Sequence, residues 1–293
     1  MLYFNLHNLF LHLTGVPLRF TPSGEKTVRL QRRDSPLPHP ASAYLETYMV
    51  LVCRFEVTSN SALIRSFHGT AFFVNDAGVF ITARHVVEKG SDAVAGHGGF
   101  LGLCVRPPGG AGNVAAKILS FDHADPPYDV SIGTCNGSFP TLLTVKDADV
   151  ATWRDVATFG YPETALNISP QAFWIYGRGF KGYVHRLVKF GELPAGGHPN
   201  AFEVSFAMPP GLSGAPLFLH SEPRDVVVGV CVGANRAETV DFDCEEILES
   251  GEIRRERRLR VEEYGIAHDL RPLLDWKPPA LKGLTVADVA NVG

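Results

Sequence analysis

The sequence predicts an all-β protein with two consecutive groups of strands. Three observations lead there. Short β-branched and aromatic runs recur along the chain, each bounded by Gly, Asn, Asp or Pro. A polar connection, Thr144-Val-Lys-Asp-Ala-Asp-Val-Ala-Thr-Trp-Arg-Asp155, divides those runs into two sets of five to seven. Between residue 16 and the C-terminal tail, no long stretch carries convincing helical periodicity. Two antiparallel barrels or sandwiches in series fit this pattern.

Residues 1–42 are expected to stand apart from that body. "MLYFNLHNLFLHLTG" is apolar, but His7, Asn8 and His12 interrupt it and no Lys or Arg precedes it. It therefore lacks the basic region of a secretory signal, and it is too short and polar for a membrane span. An amphipathic helix packed on the body or a partner is the expectation. Arg19–Pro40, rich in Pro, Ser, Arg and Gly, reads as a linker.

The first strand group, within residues 43–145, comprises "YMVLVCRFEV", "GTAFFVND", "GVFITARHVV", "NVAAKILSFD" and "DVSIGTC", with a hairpin signal at Asn75–Gly78. The second, within residues 146–276, comprises "VATFGYP", "AFWIYGRGF", "KGYVHRLVKF", "AFEVSFAM", "APLFLH", "DVVVGVCVGA" and "YGIAHDL". Dense charge of both signs fills residues 237–263, which read as a solvated loop or hairpin extension inserted before the last strand. Residues 277–293 form a tail.

Composition narrows the partners. A net charge of −4 gives no general attraction to nucleic acid or anionic lipid, so neither is expected. Five cysteines, an odd number without C-x-x-C spacing, spell neither a zinc ribbon nor a complete disulfide framework. Buried free thiols in a reducing, cytoplasmic compartment are the plain reading, with no metal and no organic cofactor.

The chemistry starts from "MPPGLSGAPLF", Met208–Phe218, where Ser213 sits in a turn of small residues. A serine between glycines is usually only a turn residue. To act as a nucleophile it needs a base, and the base needs a carboxylate to fix its tautomer. His85 lies in "ITARHVV" at the end of an apolar hairpin, and Asp129 opens the β-rich run in "PPYDVSIG". The three follow in the order His, Asp, Ser, the first two in one strand group and the third in the other.

With "GTAFFV", "TARHVV", "YDVSIG", "GLSGAPLF" and "VVGVCVGA" in register from about Tyr48 to Leu274, the sequence resembles the trypsin-like (chymotrypsin-fold) serine peptidases of the bacterial type without disulfides. That resemblance implies two six-stranded antiparallel Greek-key β-barrels, with the active site in the cleft between them. It also implies a serine endopeptidase in which His85, Asp129 and Ser213 are catalytic and the backbone N–H groups of Gly211 and Ser213 form the oxyanion hole. Val232, Gly233 and Ala234 would pair with an extended protein or peptide substrate. Ala207 would floor the side-chain pocket, a neutral residue that predicts no preference for Lys or Arg. Leu212 stands where cleavage-activated members carry an Asp, so activation by a new N-terminus is not expected. Thr70 and Val86 stand where those members have cysteines.

Two other readings remain beside it. "GLSGA" resembles the nucleophile elbow of α/β-hydrolases, with His268 and Asp269 downstream, but there the serine leads into a helix and here "PLFLH" reads as a strand. A catalytically idle or partner-activated domain of the same fold would bind proteins without cutting them. Residues 1–40 or 237–263 are the surfaces a regulatory partner would use.

Overall fold

The structure is a computed structural model that describes residues 45–290 except 59–60, 108–111, 169–172, 194–196, 222 and 249. The apolar N-terminal segment and the linker, including any partner surface on residues 1–40, lie outside the described residues.

Strands β1 (Met49–Val57), β2 (Ala62–Phe73), β3 (Val79–Thr82), β4 (Phe100–Val105), β5 (Val114–His123) and β6 (Ser131–Cys135) close into a barrel in the order β1-β2-β3-β6-β5-β4. Closure leaves no open edge, and it buries Leu51, Cys53, Phe55, Phe72, Phe80, Leu103 and Ile132 almost completely. The β2–β3 hairpin forms at the predicted place. Asn75 drives it by accepting the N–H groups of Ala77 and Val79 on its side-chain oxygen, at 3.0 and 3.1 Å.

The second strand group is β8 (Asp155–Gly160), β11 (Arg178–Val188), β12 (Ala201–Val204), β13 (Pro216–Leu219), β14 (Asp225–Ile247) and β15 (Ile253–Asp269). Its order is β13-β8-β11-β12-β15-β14, and pairing of β13 with β14 closes the ring. A seventh strand departs from the six expected. β7 (Leu143–Val145), at the end of the first group, joins β14 in parallel. β9 (Leu166–Ile168) and β10 (Phe173–Ile175) form a separate small hairpin. Leu217, Val228, Phe202, Val204 and Leu212 fill the second core.

Four features differ from the sequence expectation or extend it. The run after β3 is not strand: helix α1 (Arg84–His97) starts there, where the chain leaves the barrel rim at Ala83 and a remote carboxylate, Asp129, accepts the His85 N–H of the first turn. The charged stretch 237–263 is a β-ribbon, since β14 and β15 stay paired from Gly233–Ile266 out to Ile247–Ile253. Cys53, Cys104, Cys135 and Cys231 are buried free thiols, but Cys244 is exposed because it lies on that ribbon. Finally, the tail packs on the first barrel. A 3-10 turn (Pro279–Leu281) and helix α2 (Val286–Ala290) bury Leu281, Val286 and Val289 there.

Among the described residues no helix is long and apolar enough to cross a membrane.

Candidate active site

His85 sits in the first turn of α1, where backbone N–H groups have no partner within the helix. The residue before the helix, Ala83, has no side chain to cap them. Asp129, from the connection between β5 and β6, does so from across the fold. Its Oδ1 accepts the His85 backbone N–H at 2.9 Å, and its Oδ2 accepts Nδ1–H of the same residue at 2.5 Å. One carboxylate thus fixes both the helix end and the ring. Burial pushes the Asp129 carboxyl up, but the His85 hydrogen bonds and charge outweigh it and hold the group below its usual range.

With Nδ1 donating to Asp129, the ring leaves Nε2 as its free basic nitrogen. That is the tautomer a general base for a hydroxyl requires.

Ser213 lies in the turn from β12 to β13. Gly211 and Gly214 have φ of 90° and 86°, a region closed to most side chains. At Gly214 space is also lacking, since a Cβ would come within 2.0 Å of the Thr70 carbonyl oxygen. The turn is pinned to both strand groups. Thr70 N–H donates to the Ser213 carbonyl at 2.8 Å, and the Thr70 hydroxyl donates to the Gly211 carbonyl at 2.9 Å. Gly214 N–H donates to the Cys231 carbonyl at 2.8 Å. Leu212, the residue before the serine, is fully buried in the second core.

Three groups of the turn stay uncommitted. The N–H groups of Gly211 and Ser213 make no hydrogen bond among the described residues. The Ser213 hydroxyl points at the Val232 carbonyl, 3.5 Å away at the limit of a hydrogen bond, and is not bonded to His85. Proximity of the two halves comes from Gly69: a Cβ there would touch Val86, the neighbour of His85, at 2.6 Å and the Ser213 carbonyl oxygen at 2.9 Å.

Of the residues expected along the substrate, Val232 and Gly233 are half-buried at the start of the free stretch of β14, and Ala234 is exposed. A bulge at Val232, between the pairs Cys231–Ala267 and Gly233–Ile266, leaves its carbonyl turned to the serine. Ala207 is exposed beside the buried Met208.

Two residues hold places at the site that the sequence reading did not give them. Thr70 looked like a mere replacement for a cysteine, but it is fully buried and is the turn's main anchor; its Oγ1 also accepts Tyr161 N–H at 3.0 Å. A hydroxyl inside the otherwise apolar "GTAFFV" was the available signal. His268 looked like part of a last strand. It reaches Asp129, whose backbone N–H donates to His268 Nδ1 at 3.0 Å. No short-range pattern links residues so far apart.

The family model for the trypsin-like peptidase domain matches residues 69–230, more than half of the chain and the span that carries all three candidate residues. The chain therefore belongs to the trypsin-like peptidase family. No curated protein matches it. Solved structures are similar to it at low identity. The HtrA-type protease AlgW with a decapeptide is 13% identical with a TM-score of 0.48, over 78% of this chain and 62% of AlgW. This chain thus spans under two thirds of AlgW. The MamO protease domain from Magnetospirillum magneticum, apo form, is 14% identical with a TM-score of 0.46, over 78% of this chain and 95% of that one. The inactive form of Rv3671c protease is 18% identical with a TM-score of 0.45, over 82% and 93%.

Proposed function

We propose that the chain is a serine endopeptidase that works through Ser213, His85 and Asp129 and an acyl-enzyme intermediate. The observation that carries this reading is the double grip of Asp129 on His85, which leaves Nε2 free, on a helix whose next residue, Val86, approaches the Ser213 turn across Gly69. In the first half-reaction Ser213 Oγ bonds to the scissile carbonyl carbon while His85 Nε2 takes the hydroxyl proton. Asp129 stabilises the imidazolium that results. The uncommitted N–H groups of Gly211 and Ser213 then receive the developing oxyanion, a contribution of about 2.7–4 kcal/mol per donor in sites of this kind. His85 returns its proton to the amine as the C–N bond breaks. Water, deprotonated by the same ring, later releases the acid product.

The substrate would lie as an extended strand against Val232, Gly233 and Ala234, since the outer edge of β14 carries no strand from Val232 onward among the described residues. Ala207 gives the site no charge to attract Lys or Arg, so a neutral, apolar side chain before the cut is the expected preference.

A fluorophosphonate probe tests the reading. Covalent labelling of the wild type, absent in Ser213→Ala, supports it, and a peptide library run on the same pair reports the preference.

One observation favours a second reading, a partner-activated or idle domain: the Ser213 hydroxyl faces Val232 and not His85. Wild type that labels only after a protein partner is added supports activation. Absence of labelling under every condition supports a binding module. The ribbon of β14 and β15 is the described surface assigned to such a partner.

A further inference from the structure

Behind Asp129 the hydrogen bonds continue in a line. Its backbone N–H donates to His268 Nδ1 at 3.0 Å, and His268 Nε2 faces His198 Nδ1 at 2.9 Å. His268, on β15, is 1% exposed, and Tyr128 packs edge-on against its ring. His198 is half-buried in the connection between β11 and β12. Among the described residues no three His, Cys, Asp or Glu side chains are grouped to hold a metal ion, so these imidazoles are not a ligand set.

The protons in this line can be counted. His268 Nδ1 accepts from a peptide N–H, which always donates, so it carries no proton. A neutral His268 then carries its proton on Nε2 and donates it to His198 Nδ1, and His198 keeps its own proton on Nε2. No site in the line is left for another proton. On His268 it would set an N–H against the N–H of Asp129; on His198 it would set two N–H groups face to face. Either event breaks a link.

We propose that His268 and His198 are positioning residues for Asp129, and that uptake of one proton by the pair opens the line and releases the backbone that aims the carboxylate at His85. The inference rests on the triad reading above. The charged groups that face His268 are Asp129 from the β5–β6 connection, His85 from α1 and His198 from the loop before β12. Its own neighbour Asp269 is occupied by Arg271 at 2.6 Å. Burial, then His198, keep His268 neutral, with a pKa lowered to about 4.

Three measurements on the full chain test it. In spectra of protein carrying 15N-labelled histidine, His268 is expected as the Nε2–H tautomer from pH 8 to pH 6; the Nδ1–H tautomer overturns the proposal. This readout needs no turnover, so if the protein never cleaves a peptide and yet shows that tautomer, the line stands and the peptidase reading alone falls.

In kinetics, His268→Leu removes the acceptor and is expected to lower kcat about 10–100-fold at little change in KM, the range for losing an outer hydrogen-bond partner. His268→Asn places an oxygen near the Nδ1 position and is expected to recover most of it. Wild-type kcat in His268→Leu, or no rescue by a folded His268→Asn, overturns the proposal. Finally, the acid limb of log kcat/KM against pH is expected to approach a slope of about 2 in wild type and about 1 in His198→Asn, which accepts from His268 without titrating. Equal slopes overturn the proton-uptake step.

Discussion

The two halves of the site differ in how much they are already bonded. On the first-barrel side, His85 and Asp129 hold one another through two hydrogen bonds, and Asp129 is held again from behind by His268. On the second-barrel side, the serine turn is anchored largely through its carbonyls, yet the N–H groups of Gly211 and Ser213 and the Ser213 hydroxyl have no firm partner among the described residues. The candidate base is organised by the fold, whereas the candidate donors are left uncommitted among the described residues. Fixed donors that reorganise little when charge develops are the arrangement that stabilises a transition state. A ready-made acceptor for them would compete with the substrate.

The largest expected break in this comparison is Asp129→Asn. An amide cannot both accept from Nδ1–H and stabilise the imidazolium, so the wrong tautomer is favoured and kcat is expected to fall about 10⁴-fold with the fold retained. Circular dichroism beside turnover measurement checks both halves of that statement.

Gly214→Ala attacks the other side. With φ at 86° and a carbonyl oxygen 2.0 Å from the new Cβ, the turn must move. A stability loss of at least about 2 kcal/mol is expected in denaturant unfolding, with loss of probe labelling. Thr70→Val is gentler: it keeps the backbone grip on Ser213 but strips the buried Gly211 carbonyl and Tyr161 N–H of their shared hydroxyl. About 1–3 kcal/mol is expected from unsatisfied buried groups, with kcat falling more than KM.

Acid should weaken both halves through the fold itself. His268 has a folded pKa of about 4 against 6.5 for the free ring, so the unfolded chain binds more protons between those values. Stability is therefore expected to drop as pH falls from about 6.5 to about 4, by on the order of 3 kcal/mol from this residue. Burial likewise lowers His68 and His123, which adds in the same direction. Asp129, held below its usual range, adds a loss only at lower pH, as it protonates. Thermal melts from pH 8 to pH 4 read the slope, and His268→Asn should flatten part of it. The smallest effect belongs to the ribbon. Arg258 lies over Phe242 and pairs with Glu256 at 2.7 Å in the open, so Arg258→Ala should change stability by under about 1 kcal/mol.

What the sequence made legible was local. Alternating apolar runs marked the strands, Asn75–Gly78 marked a hairpin that formed, and the motifs around His85, Asp129 and Ser213 pointed to a family that the chain does belong to. Helix α1 was missed because "TARHVV" looks like strand by composition, while the chain's exit from the barrel rim and the remote carboxylate at its N-terminus decide otherwise. The parallel strand β7 is only three residues long and has no period to detect. Thr70 and His268 act through partners 141 and 139 residues away, a separation at which spacing carries no signal.

The packing of the tail on the first barrel has a consequence for how the molecule is made. Asp122 accepts the N–H of Ala280, and the side-chain amide of Asn75 donates to the carbonyl of Val289, 214 residues further along. A ribosome that emits the first barrel early, at about 5–20 residues per second, thus waits through the whole second strand group before releasing the piece that finishes it. The same delay applies to His268, which reaches Asp129 only once β15 has emerged. The candidate site, which draws on both strand groups, is thus completed only after β15 has emerged.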